Sequence, residues 1–88
     1  MSKILDRRVI PAETYIFHEG DEARTAYLIA SGKVRIQRQV DGATIELVTL
    51  GKGGFFGEMA LIDGKPRSAD AYVVEAAEIV AIDEKTFE

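Results

Sequence analysis

Phe55-Phe56-Gly57-Glu58-Met59-Ala60-Leu61-Ile62-Asp63-Gly64-Lys65-Pro66-Arg67-Ser68-Ala69-Asp70-Ala71 is the stretch on which the reading of this chain turns. Gly57 has no side chain, so the backbone there can approach a ligand closely. Glu58-Met59-Ala60-Leu61 is rich in good helix formers, which predicts one helical turn. The N–H groups at the start of such a turn have no partner within it and attract anions. Asp63-Gly64-Lys65-Pro66 is turn chemistry, and Pro66 stops a helix from continuing. Arg67 follows with a planar fork of donors matched to phosphate oxygens. Ser68 adds a hydroxyl donor, and Ala69 is small enough to leave its own N–H accessible. This is the composition of a pocket for a small anion that carries one hydroxyl.

The flanking sequence predicts strands. Gly51-Lys52-Gly53-Gly54 is a flexible turn leading into the stretch. Before it, Ala43 to Leu50 reads as a strand whose apolar phase slips between Leu47 and Val48, the mark of a bulge. Asp41-Gly42 is the strongest hairpin signal in the chain. It joins that strand to Lys33 to Val40, where Val34, Ile36 and Val40 share a face with Arg38. Ser31-Gly32 separates this segment from a short apolar strand, Ala26 to Ala30. Glu19-Gly20-Asp21 is a turn, Thr14 to His18 is β-branched and aromatic, and Val9-Ile10 is a short strand entering a turn at Pro11. Met1 to Arg8 is mixed and charged, with no assignment. Downstream, Ser68 to Glu75 and Glu78 to Ile82 read as two strands, and Asp83 as a cap for a helix beginning Glu84-Lys85-Thr86-Phe87. Many short strands at regular spacing indicate an all-β sandwich or barrel.

The chain has 88 residues, room for one small domain. Hydrophobic content of 47% and charged content of 30% fit a folded globular protein. A net charge of −4 argues against direct nucleic-acid binding, which calls for a basic face. No cysteine is present, so there is neither a disulfide framework nor a thiolate site, which fits a reducing, cytoplasmic setting. No apolar run has the length of a membrane span, and the N-terminus lacks the apolar core of a signal peptide.

Two ordered blocks resemble the cyclic nucleotide-binding domain family, as found in catabolite activators and protein-kinase regulatory subunits. Phe56-Gly57-Glu58-Met59-Ala60-Leu61 with Arg67-Ser68-Ala69 resembles its phosphate-binding cassette. Glu19-Gly20-Asp21, Tyr27-Leu28-Ile29 and Ser31-Gly32-Lys33-Val34 resemble the strand–turn–strand that precedes it. The resemblance covers the chain from about Val9 onward. It implies a mainly β fold, an antiparallel jelly-roll-like β-roll with a short helix in the cassette and a truncated C-terminal helix. One domain is expected over 1–88, with its core at 9–82. The family also carries helices before the roll and a longer pair after it, and this sequence stops where that pair would begin, as a fragment of a larger regulatory protein would.

The resemblance implies a ligand, cAMP or cGMP with a lean to cAMP, and no further cofactor or metal. Such a ligand has one free ribose hydroxyl, the 2′-OH, and one phosphate charge, which one carboxylate and one arginine can meet. A nucleoside triphosphate would call for several cations and a metal. On this reading Glu58 accepts from the 2′-OH. Arg67 takes the phosphate, helped by Ser68 and by the N–H groups of Gly57, Met59, Ala60 and Ala69. Ile36 and Leu47 form an apolar floor beside the ribose or base. The resemblance also implies that ligand binding shifts an attached effector, and it is compatible with a homo-oligomer.

Blander accounts stand beside these. Glu58 and Arg67 would satisfy each other as an ion pair, and Ile36 and Leu47 would serve as core. Tyr15, Phe17, Tyr27, Phe55 and Phe56 read as core rather than as stacking platforms. Lys33, Arg35 and Arg38 read as a solvated face, and His18 as a strand residue without a ligand role. The glycine spacing fits neither a dinucleotide fingerprint nor a P-loop. No nucleophile–base set is recognisable, so catalysis is not expected. The competing function is a structural or protein-interaction β-roll of the same fold.

Overall fold

The computed structural model describes residues 4–83, with side chains over 7–59 and 62–82. The elements in chain order are β1 (Ile4–Ile10), β2 (Thr14–Phe17), β3 (Thr25–Val40), β4 (Ala43–Leu50), β5 (Phe55–Phe56), α1 (Glu58–Asp63) and β6 (Asp70–Asp83). The expected helix after Asp83 lies outside the described residues.

All pairing is antiparallel, in the order β1-β6-β3-β4, with β2 added to β6 and β5 to β3. Strand β6 is the spine. Its first half pairs with β2 and its second half with β1, while β3 runs along its whole length. The core gathers where these strands meet, from Phe17, Ile29, Val34, Phe56, Ala71, Val73, Ala77 and Ile79.

Two pairs of expected strands are each one strand. Ser31-Gly32 does not break β3. The register against β6 shifts between Ile29 and Ser31, again between Ser31 and Lys33, and again between Lys33 and Val34. The interruption is therefore absorbed as bulges, which bend and twist the pair. Gly32 has φ +90° and lies against Ala76 and Ala77 of β6. Small residues on both strands let the backbones cross closely, so β6 also runs through where a gap was expected. A third difference is at the N-terminus. Ile4 to Arg8, whose sequence gives no assignment, is the first part of β1, because β6 offers it partners from Ile79 to Ile82.

The expected hairpin and bulge are both present. Asp41 and Gly42 have φ +52° and +81°, the two positive values a two-residue primed turn needs, and Val40 faces Ala43. Across β3 and β4, Ile36 faces Val48 but Gln37 faces Glu46, so Leu47 is the extra residue.

Burial corrects the expected faces. Gln37 is 2% exposed, while Val40 and Arg38 are exposed. The Gln37 amide is satisfied: Arg35 Nε donates to its Oε1 at 2.8 Å, and its Nε2 donates to the Tyr15 hydroxyl at 3.4 Å. Arg35 is half-buried, with its guanidinium 5.1 Å from the Tyr72 ring centre, and so is not part of a solvated face. Tyr15 and Phe55 are exposed rather than core. His18 lies just past β2 and stacks on Tyr15 at 4.4 Å.

Candidate functional site

Helix α1 begins at Glu58, directly after Gly57. Gly57 has φ +83°, and a Cβ there would lie 2.8 Å from Arg67 Nη1 and 3.5 Å from the Thr25 carbonyl oxygen. Glycine is thus required both for the backbone turn and for the arginine beneath it. After α1 the chain turns through Gly64, φ +72°, with Lys65 N–H donating to Asp63 Oδ1 at 2.9 Å. This brings Arg67 back under the start of the helix.

Arg67 is held at both ends. Its backbone N–H donates to the Asp21 carbonyl at 2.9 Å, and its own carbonyl accepts from Gly20 N–H at 2.8 Å. The Glu19-Gly20-Asp21 turn is itself braced: Glu19 N–H donates to the buried Asp70 carboxylate at 2.7 Å, and His18 N–H to Asp21 Oδ2 at 2.9 Å. The guanidinium donates through Nη1 to the Gly57 carbonyl at 2.9 Å and through Nη2 to the Thr25 carbonyl at 2.6 Å.

What Arg67 lacks is as informative. The residue is 5% exposed, yet among the described residues it forms no ion pair, and its buried Nε has no partner. Burial holds the guanidinium below its ordinary pKa, with Tyr27 and Asp21 offsetting part of that effect. A buried cation without a counter-ion is costly, and an anion entering the site would relieve that cost. Glu58, half-buried nearby, has no hydrogen-bond or ion-pair partner among the described residues either. The two groups are not each other's partner, so the ion-pair account does not describe this structure.

A cleft of about 310 Å³ opens onto this arrangement. That is at the small end of the range for small-molecule sites, about 300–1,000 Å³. Ile36, Gly57, Glu58, Met59, Arg67, Ser68 and Ala69 all line it. Of the other expected site residues, Ala60 lies in α1 with its side chain outside the described set. Leu47 does not line the cleft and is 54% exposed. Val48 and Leu50 stand where Leu47 was expected, because the bulge at Leu47 puts Val48 opposite Ile36. Phe17, Phe55 and Phe56 complete the walls. The sequence weighs all three as core rather than as stacking platforms; that they also wall a cleft depends on the folded arrangement.

A larger cleft of about 510 Å³ lies among β1, β2, β3 and β6, with Arg8 the one charged residue among the described residues that line it. Size does not decide between the two. Of the two, only the smaller cleft is lined by both a buried cation and a carboxylate that form no ion pair among the described residues, beside a glycine turn.

A family model for the cyclic nucleotide-binding domain matches residues 7–88. The chain is 46% identical over 77 residues to the cyclic AMP receptor protein of Thermus thermophilus, a match covering 86% of this chain and 36% of that protein. It is 38% identical over 74 residues to the cAMP-dependent protein kinase type II regulatory subunit of Drosophila melanogaster, covering 83% of this chain and 20% of the relative. The structure matches that of the Thermus thermophilus catabolite activator protein with a TM-score of 0.86 and 42% identity, over 93% of this chain and 39% of the other. The chain thus spans 36% and 20% of the length of these two curated relatives.

Proposed function

We propose that this chain, which belongs to the cyclic nucleotide-binding domain family, is the sensing module of a regulatory protein and takes cAMP as its ligand. The observation that carries the proposal is the buried Arg67, which forms no ion pair among the described residues and lines the same cleft as Glu58, itself without a partner among them. A cyclic phosphate supplies the missing anion, and the ribose 2′-OH supplies a donor for the carboxylate. Ser68, and the N–H groups at the start of α1, add donors on the phosphate side. The apolar wall of Ile36, Val48 and Leu50 suits the less polar parts of the ligand. The lean to cAMP rests on the likeness to a cyclic AMP receptor and to a cAMP-dependent kinase subunit.

The ligand is bound and released unchanged, so the module is a receptor and not a catalyst. Binding draws the cassette toward the phosphate and shifts an attached effector, by as much as the ligand's affinity differs between the two states. A cysteine-free chain suits a cytoplasmic setting for this role.

One calorimetric series tests the reading: cAMP, cGMP, 5′-AMP and 2′-deoxy-cAMP titrated into the chain. cAMP is expected to bind most tightly. Loss of the 2′-OH leaves Glu58 without its donor, which costs about 1–3 kcal/mol, or roughly five- to a hundredfold in affinity. If 2′-deoxy-cAMP binds as well as cAMP, Glu58 does not read the sugar. If none of the four binds, the chain is a structural β-roll.

A further inference from the structure

The Arg67 guanidinium carbon lies 4.2 Å from the centre of the Phe17 ring and 5.6 Å from that of Tyr27. Both rings are within the range of cation–π attraction, which is strongest when the cation is desolvated, as this one is. Phe17 is itself buried and fixed. It faces Ala71 across β2 and β6, and its ring packs against those of Tyr27 and Phe56 at 5.9 and 6.0 Å.

We propose that Phe17 is a positioning residue for the phosphate: its ring face holds the Arg67 charge in the place a carboxylate counter-ion would otherwise take. The proposal rests on the reading of Arg67 as the phosphate ligand. A carboxylate in that place would compete with the phosphate for the same N–H groups and would have to be displaced on binding. A ring face attracts the cation without accepting those hydrogens in line. Of the five donors of a guanidinium, the Gly57 and Thr25 carbonyls take two, and the buried Nε–H has no partner among the described residues, so the group keeps hydrogen-bonding capacity for an anion. The plane is thereby fixed before the ligand arrives, and less ordering is lost on binding.

Phe17→Leu would disturb the core as well as the contact, so the deciding test changes the electrons of the ring and little of its shape. Phe17 is replaced by mono-, di- and trifluorophenylalanine, and cAMP affinity is measured for each. Fluorine withdraws charge from the ring face, so affinity should fall stepwise, by about five- to thirtyfold at the end of the series. In parallel, the Arg67 side-chain N–H resonances of the ligand-free chain should be displaced by the ring current, and Phe17→Leu should return them to ordinary positions. A flat affinity series with a binding parent chain overturns the positioning role and leaves the nucleotide reading intact. Undisplaced Arg67 resonances overturn the contact itself. If the parent chain binds neither cAMP nor cGMP, the failure belongs to the functional reading and removes the positioning role with it.

Discussion

Gly32→Ala should destabilise this fold more than any other single methyl added at a glycine. A Cβ at Gly32 would lie 2.3 Å from the Ala76 carbonyl oxygen and 2.5 Å from the Ala77 Cα. Both are backbone atoms, so no side chain can swing aside, and β3 must separate from β6 where the two strands bend together. Forcing extra volume into packed structure costs about 1–3 kcal/mol, occasionally more. The left-handed φ of +90° adds about 1 kcal/mol or more for a residue with a Cβ. A domain of this size has roughly 4–13 kcal/mol to lose. The melting temperature should fall by about 15 °C or more. Gly42→Ala is the matched control. Its φ of +81° carries a similar conformational cost, but nothing lies within 4 Å of the added methyl. It should lose roughly 5 °C. If circular-dichroism melts of the two variants agree within a few degrees, the close crossing of β3 and β6 is not what holds the roll together.

That crossing also marks the limit of what the sequence discloses. Features set by neighbouring residues could be read directly. The helix formers after Gly57, the stop at Pro66 and the Asp41-Gly42 turn depend on a few adjacent side chains and their φ preferences. Even the bulge in β4 appears as a slip in apolar phase. Its consequence was harder to see: one extra residue hands the cleft-facing place from Leu47 to Val48, because side chains on a strand alternate with a period of two. The continuity of β3 and β6 was not legible at all. Ser31-Gly32 reads locally as a break, and only the partner strand, with alanines at the crossing, turns it into bulges. Gln37 was hidden for a similar reason, since a glutamine is buried only when partners such as Arg35 and Tyr15 meet its amide. The sequence singled out Arg67, Glu58 and Gly57, and the fold brings all three to one cleft. That Arg67 forms no ion pair among the described residues, and that the Phe17 ring lies beneath it, could not be foretold, because both depend on contacts between distant segments.

Arg67→Lys should remove most of the ligand response and leave the roll in outline. The side chain has two tasks, bracing the Gly57 and Thr25 carbonyls and presenting its remaining donors to the phosphate. An ammonium keeps the charge but is a point donor. It cannot span two carbonyls and also offer a planar pair of N–H groups to phosphate oxygens. Losing a hydrogen bond to a charged group costs about 1.5–3 kcal/mol, or roughly ten- to a hundred-and-fiftyfold in affinity. The thermal response amplifies this. At a ligand concentration a hundred times the parent dissociation constant, binding stabilises the folded chain by about 2.7 kcal/mol. For a domain of this size that raises the melting temperature by about 10–20 °C. In the variant the same concentration is only about one to ten times the dissociation constant, and the stabilisation falls to roughly 0.4–1.4 kcal/mol. The ligand-free melt should fall too, because lysine cannot brace both the Gly57 and Thr25 carbonyls, but by less than the ligand-induced shift, since no ion pair among the described residues is lost. Melting both proteins with and without cAMP separates the two quantities. A variant that keeps the full ligand-induced shift would take Arg67 out of the phosphate site, and its burial would then need a purely structural account.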